Sequence, residues 1–454
     1  MKQIYYVIQT LLRGRGSNII KVLSLGLALT MSILLFVRVV FEQSYDTCYR
    51  DLDRIYQLFS IFTINGEQGE PSELNLPPVA GAVLENFPQE VEAAVSVCKY
   101  MAFGPLYNGS VRFKDYAVMA DSLFFQTLGI EVLRGDPLHE LQQKDVVFLS
   151  DRLAQKMFDD EDPVGKVINY DKQLQLTVKG IYAALPENST MNPEAVISIV
   201  SAWSRDWAEY SWEGGDSFFQ YIRFRPGVKV DVEKFNARLE TVIHNYLPQD
   251  GKDNSSYTSI VKPLRDVYRS GDMVKRMNAI TLILGLAILF IAAMNYVLIS
   301  ISSLSYRAKA VGVHKCNGAS GGTVFSMFLL ETGIVILLSL ILMVLLLLNF
   351  REMIEETMEV QLTSLFVFGR IWVPLVVVLG LFIVGGVLPG RMFSRIPVSQ
   401  VFRHYTEGKK GWKRPLLFIQ FLGVAFICGL MCVIMAQYHY VLNKNTGYDA
   451  RSIA

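Results

Sequence analysis

Five runs of apolar residues, at 19–41, 277–301, 323–348, 371–389 and 415–437, are each near the length of about 20 helical residues that crosses a bilayer core. Between the first and second lies a long stretch of soluble character, 42–276, rich in charge, Pro, Asn and Gly. The pattern predicts one span, a large domain, three closely spaced spans and a fifth. The remaining pieces are a loop at 302–322, an acidic loop at 349–370, a basic linker at 390–414 and a tail at 438–454.

Lys2, Arg13, Arg15 and Lys21 give the first run a basic front, which a cleaved export signal would share. The apolar run continues through Val39, Val40 and Phe41 into Glu42 with no small-residue cleavage pattern, so it reads as an uncleaved anchor. Ahead of it, within 1–18, Ile4, Val7, Ile8, Leu11 and Leu12 share one helical face. That spacing suits an amphipathic helix on the cytoplasmic membrane surface.

Basic residues in short loops set orientation. Arg307, Lys309 and Lys315 follow the second span; Arg391, Arg395, Arg403, Lys409, Lys410, Lys413 and Arg414 follow the fourth. The loop after the third is acidic, with Glu352, Glu355, Glu356 and Glu359. Both basic loops and the N-terminus therefore belong in the cytoplasm, and 42–276 belongs outside.

The outside stretch mixes the two periodicities. Phe218, Gln220, Ile222 and Phe224 alternate with Phe219, Tyr221, Arg223 and Arg225 up to Pro226-Gly227, as in a strand. Val232, Phe235, Leu239, Val242, Ile243 and Tyr246 mark one helical face. Val146 to Leu149 reads as a strand, Ser150 as the N-cap of a helix through Phe158, and Gln173 to Tyr182 as another strand. The predicted fold class is an α-helical transmembrane bundle of about five spans with a large mixed α+β domain, and that domain is long enough to form two subdomains.

Composition agrees. The 454 residues are 51% hydrophobic and 19% charged, with a mean hydropathy of +0.31, whereas about a quarter of a soluble domain is charged. A net charge of +1 argues against nucleic acid as a partner. Five cysteines make no disulfide framework; Cys48 and Cys98, both outside, either pair or stay free.

Candidate chemistry is sparse. Gly318 to Thr323 (GASGGT) is glycine-rich but lacks the lysine of a phosphate-binding loop, and Gly165-Lys166 lacks the spacing. If ATP drives this protein, another chain binds it. His139, His244, His314, His404 and His439 are scattered, with no H-E-x-x-H or C-x-x-C, so no metal, cofactor or catalytic residue is assigned. Cys428 and Cys432, one helical turn apart, suit helix packing. The glycosylation-type triplets at Asn108, Asn188 and Asn254 read as chance.

Polar groups inside spans are costly and stand out. Asn295 near the cytoplasmic end of the second span suits helix packing; Glu331, in the third, either locks helix geometry or senses a conformational change. Arg38, near the outer end of the first span, is expected to reach back to the interface. The basic, small-residue loop 306–322 could fit a partner's groove or be merely a positive-inside loop. The first and fifth spans both lead to a Tyr-Asp pair (Tyr45-Asp46 and Tyr448-Asp449), an echo that fits either a truncated repeat or a five-span protein.

The run Arg307-Ala-Lys-Ala-Val-Gly-Val-His-Lys-Cys-Asn-Gly-Ala-Ser320, followed by Phe328-Leu-Leu-Glu331, resembles the loop of the FtsX/MacB-type ABC transporter permeases. Phe158 to Lys166 with Leu176 to Tyr182 is similar to the MacB-like periplasmic core domain, and Leu388-Pro389 through Val398 to the segment closing the permease half. The chain departs from the family at Ala310, where a Glu is common, and His314, where an Arg is common.

The resemblance implies a bacterial inner-membrane permease subunit that takes ATP-driven motion from a separate cytoplasmic ABC ATPase to its periplasmic domain. Export or extraction of a peptide, drug or lipoprotein follows by analogy; the alternative is an FtsX-like subunit that activates a periplasmic cell-wall hydrolase without transport. Further implied partners are membrane lipid, a second copy or second permease half, and a periplasmic adaptor or hydrolase. The ATPase-coupling residues would be Arg307, Lys309, Gly312, His314, Lys315, Gly318, Ala319 and Ser320.

Overall fold

The computed structural model describes residues 17–102, 104–114, 116–172, 174–215, 217–247, 255–302, 312–313, 315–316, 318–394 and 413–444. The surface helix expected at the N-terminus and most of the basic linker lie outside the described residues. The chain forms two units, Phe41–Arg276 and the combination of Met1–Val40 with Met277–Ala454.

Among the described residues, five helices are long and apolar enough to cross a membrane: Asn18–Gln43, Asp272–Ser300, Gly321–Asn349, Phe368–Arg391 and Leu417–Asn443. The first is the interior helix of its unit, with Leu29, Ile33 and Val37 fully enclosed. Small residues let it approach its neighbours closely, as the lack of a hydrophobic driving force in lipid demands. A Cβ on Gly26 would lie 2.6 Å from a Leu342 methyl, and one on Gly285 2.7 Å from the Phe36 ring. Ser339 Oγ donates to the Val22 carbonyl at 3.2 Å, joining the first and third membrane helices.

The acidic loop folds into a short helix, Arg351–Met358, and smaller turns. Arg38 does not simply reach for the interface: its guanidinium donates to the Met358 carbonyl at 3.0 Å, satisfying an orphan group at that helix's end. The fifth membrane helix meets the second where Gln420 Nε2 donates to the Ile291 carbonyl at 3.3 Å.

The Phe41–Arg276 unit is built on one continuous 14-stranded sheet. It does not break into two sheets, because Val91–Cys98 pairs with Ala117–Ala120 and so joins the two halves; at one end β1 (Ile55–Ile64) lies between Phe218–Phe224 and the edge strand Ser255–Pro263. Phe218–Phe224 then continues to Val91–Cys98, and the order runs on through Ala117–Ala120, Ala195–Ser198, Val146–Ser150 and Leu174–Tyr182. One face carries a single core that includes Val95, Val118, Phe148, Val196 and Tyr221. The other face holds two clusters, one under the helices Val79–Asn86 and Val232–Tyr246, the other under Asp151–Phe158. Where two subdomains were expected, the unit has, among the described residues, one sheet and three core clusters.

The predicted elements form for the stated reasons. Ser150 Oγ accepts from Leu153 N at 2.9 Å and caps Asp151–Phe158. The strand Phe218–Phe224 is buried on both faces, and the donors of its polar members are bonded, while Gln220 Oε1 has no partner among the described residues. Gln220 Nε2 donates to the Leu76 carbonyl at 2.9 Å, and Arg223 Nη1 to the Arg50 carbonyl at 3.1 Å.

The segment after Phe41 is strapped onto loop 188–191. Asp46, fully buried, accepts from Thr190 N at 2.8 Å and from Thr190 Oγ1 at 3.0 Å, while Asn188 Nδ2 donates to the Ser44 carbonyl at 2.6 Å. Tyr49 Oη lies 2.6 Å from Ser189 Oγ. Tyr45 stacks on Tyr268 with ring centres 3.7 Å apart, so the chain's entry to this unit and its exit are held together.

Candidate functional site: a polar cluster among the membrane helices

Lys21 belongs to the first membrane helix and Glu331 to the third. The Lys21 side chain is 1% exposed, and its Nζ lies 3.7 Å from Glu331 Oε1 and 5.7 Å above the Tyr296 ring. A charge enclosed this fully is stable only with an opposite charge or other polar partners, because desolvation of a lone ion costs several kcal/mol. The sequence reading counted Lys21 among the basic front of the first span; the structure turns it into the bundle.

The second membrane helix supplies Tyr296, whose hydroxyl donates to Thr332 Oγ1 at 3.1 Å; Thr332 in turn donates to the Phe328 carbonyl at 3.0 Å. The fourth closes the cluster through Gly385 and Gly386. They lie in a π-helical turn, Ile383–Val387, between the helices Trp372–Phe382 and Leu388–Ser394. A Cβ on Gly385 would come within 2.9 Å of the Tyr296 ring, and one on Gly386 within 3.2 Å of Leu329. Four membrane helices therefore meet here, and the void between the second, third and fourth is only about 10 Å³, roughly what a single water needs. Such π turns are frequent where helices do functional work.

The expected coupling loop adjoins this cluster in sequence. Arg307, Lys309 and His314 lie outside the described residues. Gly312 is buried, and Gly318 adopts a left-handed backbone (φ +88°) that suits glycine. Ala319 is half-buried. Ser320 Oγ accepts from Thr323 N at 3.2 Å and caps the third membrane helix. Lys315 Nζ donates to the Ser394 carbonyl at 2.9 Å, tying the loop to the end of the fourth. Asn295 is half-buried and makes no side-chain hydrogen bond among the described residues, so it does not join its neighbour Tyr296 in the cluster. The structure thus brings Glu331 together with Lys21, Tyr296 and Thr332, none of which the sequence reading had singled out as a partner. A lysine and a glutamate each standing alone in an apolar run were the available signal.

In the other unit, Cys48 and Cys98 are free thiols. Among the described residues, no group of His, Cys, Asp and Glu is placed to hold a metal ion.

Residues 282–398 match the family described as FtsX-like permease C-terminal. No curated protein matches the chain. Among solved structures, a domain of a permease-like protein from Porphyromonas gingivalis is 21% identical with a TM-score of 0.41, covering 47% of this chain and 91% of its own. The periplasmic region of MacB from Actinobacillus actinomycetemcomitans is 14% identical at 0.34, covering 48% and 92%. The extracellular domain of the noncanonic ABC-type transporter YknZ from Gram-positive bacteria is 10% identical at 0.32, covering 45% and 99%. At such scores the structural likeness decides nothing. The match over 282–398 covers the second, third and fourth membrane helices of this chain.

Proposed function

We propose that this chain is the membrane subunit of an ABC-type complex. ATP would be hydrolysed by a separate cytoplasmic ATPase, and the resulting motion would pass through the helices to a domain on the opposite side. The observation that carries the reading is the family match over 282–398, which spans loop 306–322 and the helices on either side of it. The polar cluster supports it physically. An ion pair, a hydroxyl pair and a glycine turn join four helices, two of which flank that loop in the sequence, so a push on the loop would be shared among helices rather than absorbed by one. Packed interfaces of this kind switch between discrete arrangements instead of deforming smoothly.

In this reading the loop residues Arg307, Lys309, Gly312, His314, Lys315, Gly318, Ala319 and Ser320 face the ATPase. Phe41–Arg276 is periplasmic, and the membrane is the bacterial inner membrane. Export or extraction of a periplasmic substrate is the task that suits a large outside domain. The test is hydrogen exchange on the purified complex, with and without ATP plus vanadate. Changed protection at 41–50 and 264–271 is the expected result; exchange confined to the ATPase would refute transmission.

A further inference from the structure

The outside unit contains a cleft of about 710 Å³ bounded by segment 48–54 and by loops 125–131 and 183–186. This volume falls in the range of small-ligand sites, roughly 300–1,000 Å³. Its apolar lining is Phe125, Ile130 and Leu185, exposed by 3%, 8% and 7%. Gly129 keeps one wall thin: at φ +67° it sits so close that a Cβ would meet the Arg50 carbonyl oxygen at 2.7 Å and Arg223 Nη1 at 2.8 Å.

The charges of the wall sort into two sets. Arg223, with a side chain 6% exposed, binds Asp51 at 2.6 Å and approaches Glu92 at 3.9 Å; Arg54 bonds both of those carboxylates. Two cations and two anions close a neutral network with few donors left to offer. Arg50 and Glu131 remain. Both line the cleft, both are exposed, and among the described residues neither enters an ion pair. One unmatched cation and one unmatched anion over an apolar floor suit a dipolar ligand with apolar substituents, not a simple anion.

We propose that this cleft binds short apolar peptides with free termini, Arg50 taking the carboxylate, Glu131 the ammonium group, and Phe125, Ile130 and Leu185 the side chains. A guanidinium offers a carboxylate two parallel hydrogen bonds, which gives orientation as well as affinity. The same segment runs directly into the strap at Asp46 and Tyr49, so an occupant touches the chain that leads from the first membrane helix. The proposal is independent of ATPase coupling.

Cys48 lines the cleft and is exposed, whereas Cys98 is buried, so Cys48 can report occupancy. The full chain in detergent, with Cys316, Cys428 and Cys432 changed to Ser, is labelled with a maleimide at pH 7, where the peptide's ammonium group stays charged; burial pushes the Cys48 thiol up to about 11, so its small thiolate fraction reacts slowly enough to time. Trileucine with free ends should slow Cys48 labelling saturably. Arg50→Ala and Glu131→Gln should each raise the half-protecting concentration about tenfold, the scale of one lost charge-assisted hydrogen bond. N-acetylated, C-amidated trileucine should protect far less well. Labelling unchanged by millimolar trileucine, or protection indifferent to both charges, would overturn the proposal. Because no ATPase is present, neither result bears on the permease reading.

Discussion

Lys21 and Glu331, 310 positions apart in the chain, hold each other at 3.7 Å inside the helix bundle. Removing one partner leaves the other charge enclosed and unmatched, which costs about 3–5 kcal/mol where a pair is fully desolvated. Lys21→Met and Glu331→Gln should each lower stability by something near the bottom of that range, because other polar groups stand close. The double variant Lys21→Met/Glu331→Gln should recover most of the loss. A double-mutant cycle on thermal unfolding in detergent measures the coupling. Additive losses would mean that the two charges do not act as a pair.

Gly385 sits where a single methyl group meets the Tyr296 ring at 2.9 Å. Gly385→Ala should cost about 1–3 kcal/mol through overpacking. Combining it with Tyr296→Ala, which vacates the space, should cost less than the sum of the two. Tyr296→Phe alone loses the bond to Thr332 and should cost roughly 1 kcal/mol. Simple additivity in the same unfolding assay would place the strain elsewhere.

Ser320 caps the third membrane helix through Thr323 N. Ser320→Ala should destabilise that helix end by about 1 kcal/mol, and Ser320→Asp should preserve the cap. Hydrogen exchange at 321–324 separates the two. Equal exchange in both variants would show that the cap is dispensable.

The outside unit carries a titration within reach of ordinary experiments. Burial raises the Asp121 carboxyl to about 6, against the lowering effect of its bonds from Ser96 N and Leu123 N, each 2.9 Å. A carboxyl raised on folding is charged in both states above pH 6, where its burial counts against the fold. As pH falls from about 6 toward the unfolded value near 4, the folded state takes up the proton first and gains stability. The gain approaches 3 kcal/mol for a shift of about two units. Asp121→Asn should flatten this part of the pH–stability curve relative to the parent protein. An unchanged curve would show that Asp121 titrates normally.

Much of the fold follows from local pattern, and what did not follow is long-range. The apolar runs locate the five membrane helices because span length is dictated by the bilayer, and Ser150 announces its helix because a cap is a local device. The single sheet was not legible, since its continuity depends on pairings far apart in sequence, Ile55–Ile64 with Phe218–Phe224 and Ala117–Ala120 with Ala195–Ser198. Arg38 was assigned to the interface because nothing in its surroundings names Met358 as an acceptor. Lys21 was misread for a related reason. A lysine near a helix end ordinarily reaches for water, and only the folded bundle shows that Glu331 waits beside it. The cleft at Arg50 and Glu131 had no sequence signal at all, because its walls come from three separate segments.

In the proposed complex, loop 307–320 docks a separate ATPase. The most direct measurement is the amount of ATPase chain retained by the tagged protein purified from native membranes. It is compared with a variant whose residues 307–320 are replaced by a neutral linker of equal length. An ABC-type ATPase is expected with the parent protein and not with the variant, while the variant still inserts and folds. Absence of an ATPase from the parent preparation, or equal recovery from both, would contradict it.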